Sequence, residues 1–177
     1  QYLPGLRSKA KQLSTLLHYQ WSELSNRTEY WGFLCYLLEV ETIESFLRVW
    51  KLPIKVIKNV QQLISCIHHV NEKGWNKHLY YSFGLECIIE AERVRNTLGH
   101  LPITYHLDEL TMQYHQLPIK SRKDLVVNGN DLATWCQKKP GKWISEMLEK
   151  IEYEVIEGNV ENNKQVIKEW LESCNQK

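Results

Sequence analysis

The chain has 177 residues, 43% of them hydrophobic, which is enough for one medium domain or two small ones around an ordinary packed core. A formal net charge of +1 argues against a uniformly basic nucleic-acid binder but not against a local patch, because a ligand meets the placement of charge and not its total. Five cysteines at positions 35, 66, 87, 136 and 174, odd in number and without a Cys-x-x-Cys or Cys/His cluster, argue against a disulfide framework or a zinc site.

No stretch of this sequence reads as a signal peptide or as an apolar run of about 18 residues, so a soluble, cytoplasmic protein is expected. The opening Gln1-Tyr2-Leu3-Pro4-Gly5-Leu6 has no initiator Met, and the chain is expected to be a fragment of a longer protein. Helical spacing accounts for nearly everything after it. Leu13, Leu16, Leu17, Trp21 and Leu24 predict a helix from Arg7 to Leu24. Ser25 to Thr28 offers N-caps, and Tyr30, Trp31, Phe33, Leu34, Leu37 and Leu38 predict a mostly buried second helix. Ile43, Phe46, Leu47 and Trp50 give a short third.

Pro53 suits the first turn of the next helix, where its missing N–H has no partner to lose. Val56, Ile57, Val60, Leu63, Ile64, Ile67 and Val70 form the clearest stripe, closed by Gly74. Leu79 to Leu98 is the next, closed by Gly99, and Tyr105 to Tyr114 predicts another. Pro118 disfavours helix at Leu117 and a polar stretch follows. A boundary there divides a helical body, 1–117, from a helical tail, 118–177.

In the tail, Val126-Val127 reads as core filler rather than strand, and Asn128-Gly129 as a tight turn feeding a short helix. A long amphipathic helix follows Gly141, with Gly158 placed to end it in a left-handed cap. Val166, Ile167, Trp170 and Leu171 make the last helix. The fold class is all-α, an irregular multi-helix array rather than a symmetric bundle.

The near-neutral total hides an uneven tail. Lys120, Arg122, Lys123, Lys138, Lys139 and Lys142 stand against Asp124 and Asp131, for a net charge of +4 between Pro118 and Lys142. From Trp143 to Lys177 four lysines face eight glutamates, a net of −4. The basic cluster coincides with a helix start at Pro140-Gly141, where free backbone N–H groups and the dipole already favour anions. Lysines there oppose helix stability, and Gly141 admits close backbone approach. Phosphate is the natural ligand of such a turn, so Lys138, Lys139, Gly141 and Lys142 are the leading candidates for gripping a nucleic-acid backbone without reading sequence, with Lys120, Arg122 and Lys123 second. Trp135 and Trp143 flank the turn as its expected hydrophobic floor. A solvated charge cluster is the competing explanation.

The stretch from Asp124 to Leu171 resembles the C-terminal tail of bacterial tRNA nucleotidyltransferases, the CCA-adding enzymes of the bacterial and eukaryotic class. The resemblance rests on Asp124-Leu125, Gly129, Asp131-Leu132, Pro140-Gly141, Gly158 and Asn162 or Asn163. Ser145 stands where that family often has a second glycine. Residues 1–117 fit the family's helical body in general character, including Leu3-Pro4-Gly5-Leu6. The resemblance implies a head–neck–body–tail enzyme. The head would carry a Gly-Ser pair and an Asp-x-Asp site for Mg2+, and the neck would select CTP or ATP. Neither motif occurs in this chain. The fragment is then the body and tail, holding the tRNA acceptor arm while a head absent from this sequence adds C, C and A. On this reading it is expected to have no catalytic residue, metal site or cofactor of its own and no activity alone. The alternative is a helical protein–protein interaction or dimerisation module, so a homodimer stays open.

Other chemistry is weaker. Glu39, Glu41 and Glu44 read as a solvated helix face rather than metal ligands. His78, His100, His106 and His115 lack the His-Asp pair of metal-dependent phosphohydrolases, and His106-Leu107-Asp108 reads as surface. Trp75 and Tyr80-Tyr81 could stack on bases, but core packing is favoured.

Overall fold

The computed structural model describes residues 14–19, 21–99 and 107–174. Among these residues the periodic stripes fold as eight α-helices, with three short 3-10 turns and no strand. The helices are α1 (Arg27–Leu37), α2 (Ile43–Val49), α3 (Ile54–Lys73), α4 (Lys77–Leu98), α5 (Leu107–His115), α6 (Gly129–Cys136), α7 (Lys142–Glu157) and α8 (Lys164–Cys174). No described helix is long and apolar enough to cross a membrane.

Two expectations are corrected, and one lies partly outside the described residues. The helix expected through Leu24 gives way to 3-10 turns at Leu16–His18 and Trp21–Glu23. The Trp21 indole donates to the Leu16 carbonyl at 2.8 Å and meets Phe33 edge-on at 4.7 Å, so a side chain anchored in the core bends this stretch. Residues 1–13 and 100–106 lie outside the described residues, and the helix expected from Tyr105 is described from Leu107. Pro53 is the N-cap of α3, with ψ near 143°, rather than part of its first turn.

The body is built on α3 and α4, consecutive helices joined through Gly74-Trp75-Asn76, with α1 packed against both. Phe33, Leu63, Ile67, Ile88, Ala91, Val94 and Leu110 form its main core, and Cys35, Leu47, Ile57, Val60 and Ile64 a second cluster under α2. Asn26 caps α1 by accepting from the Glu29 N–H at 3.0 Å, and Asn76 caps α4 from the Leu79 N–H at 3.1 Å. Each satisfies a donor the helix cannot.

The body also encloses charge. Glu29 is fully buried, accepting from the Ser25 hydroxyl, the Asn26 amide and Arg93 Nη1 at 3.1 to 3.2 Å. Glu92 and Arg95 are buried together at 2.6 Å; Trp75 Nε1 donates to the same Glu92 oxygen, and Arg95 Nε donates to Asn71. A buried ion is tolerated only with such partners.

Helix α4 is broken at Gly84, whose φ of 74° and ψ of 163° lie in a region open essentially to glycine alone. Gln62 on α3 donates to the Phe83 carbonyl at 3.3 Å, compensating for helix bonding lost at the break. The apolar stripe from Leu79 to Leu98 runs across this break without a change of period.

Leu117 belongs to the body core and Ile119 to a separate one built from Leu125, Val127, Leu132, Ile151, Val155, Ile167 and Leu171. That second core lies in the stretch expected as the tail, where α6, α7 and α8 surround the chain entering from Ile119. Val127 is buried as core filler; Val126 is exposed.

Candidate nucleic-acid interface

Helix α6 starts with a full capping box. Asn128 accepts from the Asn130 and Asp131 N–H groups, and Asp131 accepts from the Asn128 N–H at 3.0 Å. Asn128-Gly129 therefore opens a helix, as its composition implies. The helix ends on Gln137, a non-glycine residue in left-handed backbone with φ of 51°, and the Lys138 N–H returns to the Ala133 carbonyl at 3.3 Å. The chain crosses Lys138, Lys139 and Pro140 and re-enters helix at Lys142, with Gly141 as N-cap.

Residues Gln137 to Lys142 are all exposed. Lys138, Lys139 and Lys142 form no ion pair with any described residue. The start of α7 has no side-chain cap and no acidic residue in its first turn. By contrast α6 is closed by Asn128, and α8 by Asn163, which accepts from the Gln165 and Val166 N–H groups. The uncapped start combines partial positive charge with exposed ammonium groups, the arrangement that favours an oxyanion. Gly141 has a φ of −175°, extended backbone that any residue adopts, so its value here lies in absent bulk and not in conformation.

Trp143 Nε1 donates to the Lys139 carbonyl at 2.9 Å and bolts the turn to the tail core. Trp135 packs on the same core but lies under Lys164, whose Nζ is 5.9 Å from its ring centroid. Lys164 also pairs with Asp131 at 2.6 Å, and this bond is the main reason the Asp131 carboxyl is held below the usual carboxylate range. Sequence reasoning missed this tie between α8 and the cap of α6; the capping aspartate was its only trace.

The second-choice basic residues separate. Lys123 is exposed and makes no ion pair with a described residue. Lys120 sits 5.9 Å from the Tyr114 ring centroid, its backbone N–H donating to Asp124 at 2.8 Å. Arg122 is committed internally: its Nε and Nη2 form a fork on Glu152 at 2.7 and 2.9 Å, with Glu149 at 3.7 Å. A guanidinium so engaged is less available to a phosphate than a solvated lysine.

Glu152 also accepts from the Tyr81 hydroxyl at 2.8 Å. Burial pushes its carboxyl up, but the hydrogen bonds from Arg122 and Tyr81 and the Arg122 charge outweigh it, and the group sits below its ordinary range. A carboxyl whose folded pKa is depressed contributes stability present above the unfolded value and lost as pH falls through the folded one. Thermal melts of the parent and Glu152→Gln are expected to differ most above about pH 5 and to converge as pH falls through the depressed folded pKa. A gap that persists undiminished in acid would contradict the ion pair.

The asparagines of the tail motif divide their work. Asn162 accepts from the Val126 N–H at 3.1 Å and donates to the Asp124 carbonyl at 2.8 Å, stapling the entering chain to the α7–α8 loop, while Asn163 caps α8. Gly158 ends α7 in left-handed backbone, φ 86°. Ser145 is exposed and bonds Glu149 at 3.3 Å, so no close helix packing rests on its lacking a side chain.

Elsewhere, Trp75 and Tyr80 are buried and stacked on each other at 5.8 Å, which removes them as base platforms. Glu44 pairs with Arg48 at 2.7 Å. A cleft of about 500 Å³ lies between α1, α3 and the end of α4, lined by Tyr19, Cys35, Tyr36, Glu39, His68 and Leu98 among others. No group of three or more potential metal ligands converges among the described residues.

The model of the tRNA nucleotidyltransferase domain 2 family matches residues 22–171. The chain is 40% identical over 171 residues to a CCA-adding enzyme of Geobacillus sp. (strain WCH70), covering 96% of this chain and 42% of that protein. It is 36% identical over 174 residues to a CCA-adding enzyme of Bacillus cereus (strain B4264), covering 98% and 44%. The crystal structure of the Bacillus stearothermophilus CCA-adding enzyme in complex with CTP superposes with a TM-score of 0.92 at 36% identity, covering 98% of this chain and 44% of that one. The chain thus spans less than half the length of these relatives.

Proposed function

The chain belongs to the tRNA nucleotidyltransferase family of CCA-adding enzymes, whose helical body it matches, and we propose that it holds tRNA for them as body and tail. In this role it grips the acceptor arm while a catalytic head outside this sequence, using Mg2+, adds C, C and A from CTP and ATP. The chain alone incorporates neither nucleotide.

The observation that carries the proposal is the turn at Lys138, Lys139 and Lys142, exposed and without ion pairs to described residues, at a helix start with no side-chain cap. A holder of many different tRNAs needs contacts common to all of them, and those are phosphates. Its A-form target presents shape and 2′-hydroxyls rather than readable base edges. Lys123 and Lys120 extend the cationic surface; Arg122 serves the protein instead.

The test is tRNA binding by the chain across a salt series. Weak binding is expected, falling steeply as salt rises from about 50 to 200 mM with a slope proportional to the phosphates neutralised. Binding that is absent or indifferent to salt would refute the proposal and leave the lysine turn a solvated surface.

A further inference from the structure

The body and tail have separate cores, and Tyr81 packs against both. Around it the two units meet through polar contacts made from the first turns of α4, ahead of the break at Gly84. Lys77 Nζ donates to the Glu157 carbonyl at 3.1 Å, and His78 Nε2 meets the Glu157 carboxylate at 2.5 Å. The His78 ring stacks on Tyr153 at 4.5 Å. Glu152, largely buried, receives the Tyr81 hydroxyl from the body and the Arg122 fork from the linking chain. Two segments distant in sequence therefore converge on a carboxylate of a third. Interfaces of this small, polar kind leave packed units free to move unless something pins them.

We propose that Tyr81, Arg122 and Glu152 are positioning residues, a three-way joint that fixes the pose of the tail on the body and so places the lysine turn for an RNA that touches both. Ahead of the Gly84 break, α4 buries Leu79 and Tyr80 in the body core and turns Lys77, His78 and Tyr81 to the tail. None of the three residues needs to touch the RNA. Their contribution is pre-organisation: with the tail pinned, a second contact on the same RNA forms at a high effective concentration. The RNA part of this inference rests on the tRNA-holding proposal; the joint itself does not.

The experiment uses the whole chain and two conservative variants, Glu152→Gln and Tyr81→Phe, each checked for parental helicity. Small-angle scattering of the free protein reads the pose. Binding is compared between tRNA and an RNA duplex too short to reach both units. Both variants are expected to broaden the distance distribution and weaken tRNA binding about tenfold, leaving the short duplex unaffected. A merely structural defect weakens both RNAs alike, and that result would overturn the inference. So would scattering that superposes on the parent's, or tRNA affinity that holds despite a loosened tail. If Glu152→Gln fails to fold, Tyr81→Phe decides, since it removes only a hydroxyl. If the parent binds no RNA, the tRNA-holding proposal fails and scattering alone judges the joint.

Discussion

Arg95→Met is expected to lower the folding free energy by about 3 to 5 kcal/mol, the usual cost of taking one partner from a buried ion pair. Glu92 is fully buried and Arg95 nearly so, and the substitution removes the guanidinium 2.6 Å from that carboxylate. It also removes the donor to Asn71, which itself donates to the Tyr36 hydroxyl at 3.0 Å, so α1, α3 and α4 all lose a shared contact. For a chain of this size the melting temperature should fall by about 10 °C. Adding Glu92→Gln to Arg95→Met discharges the stranded carboxylate and keeps an oxygen for Trp75 Nε1. The double variant is expected to recover much of the loss, and thermal or urea melts of the four proteins give the coupling directly. A double variant no more stable than Arg95→Met would mean that packing, not charge, carries this network.

That network was invisible in the sequence, whereas the helices around it were not. The stripe from Val56 to Val70 marks α3 because one face of a regular helix is buried along its whole length, and period is a local property. Burial of a charge is not local. Glu29, Glu92 and Glu152 look like the exposed Glu39, Glu41 and Glu44 until partners from other segments are known. Arg122 was grouped with the lysines for the same reason: charge counts along the chain cannot see that Glu152, thirty residues later, folds onto it. The break at Gly84 was hidden because the apolar spacing continues across it. The tail was more legible. Asn128-Gly129, Pro140-Gly141 and Gly158 act through their own backbone and nearest neighbours, so sequence alone placed the helix starts and stop that frame the lysine turn.

Changing Lys138, Lys139 and Lys142 together to alanine is expected to weaken tRNA binding by about two to three orders of magnitude near 0.1 M salt, if each lysine meets one phosphate. The dependence of binding on salt should become shallower by about 2 to 3 in log–log slope. The fold should survive, because these side chains are exposed and without ion pairs to described residues, and the Trp143 bond that braces the turn runs to the Lys139 backbone. Alanine at the start of α7 also relieves cations facing the positive end of the helix, so unchanged or slightly higher melting temperatures are expected. Loss of binding without loss of stability separates an interface from a structural role. Changing Lys120 and Lys123 instead should have a smaller effect, and Arg122→Ala should lower stability as well as affinity through Glu152. A triple variant that binds tRNA with the parent's affinity and salt slope would move the interface elsewhere on the molecule.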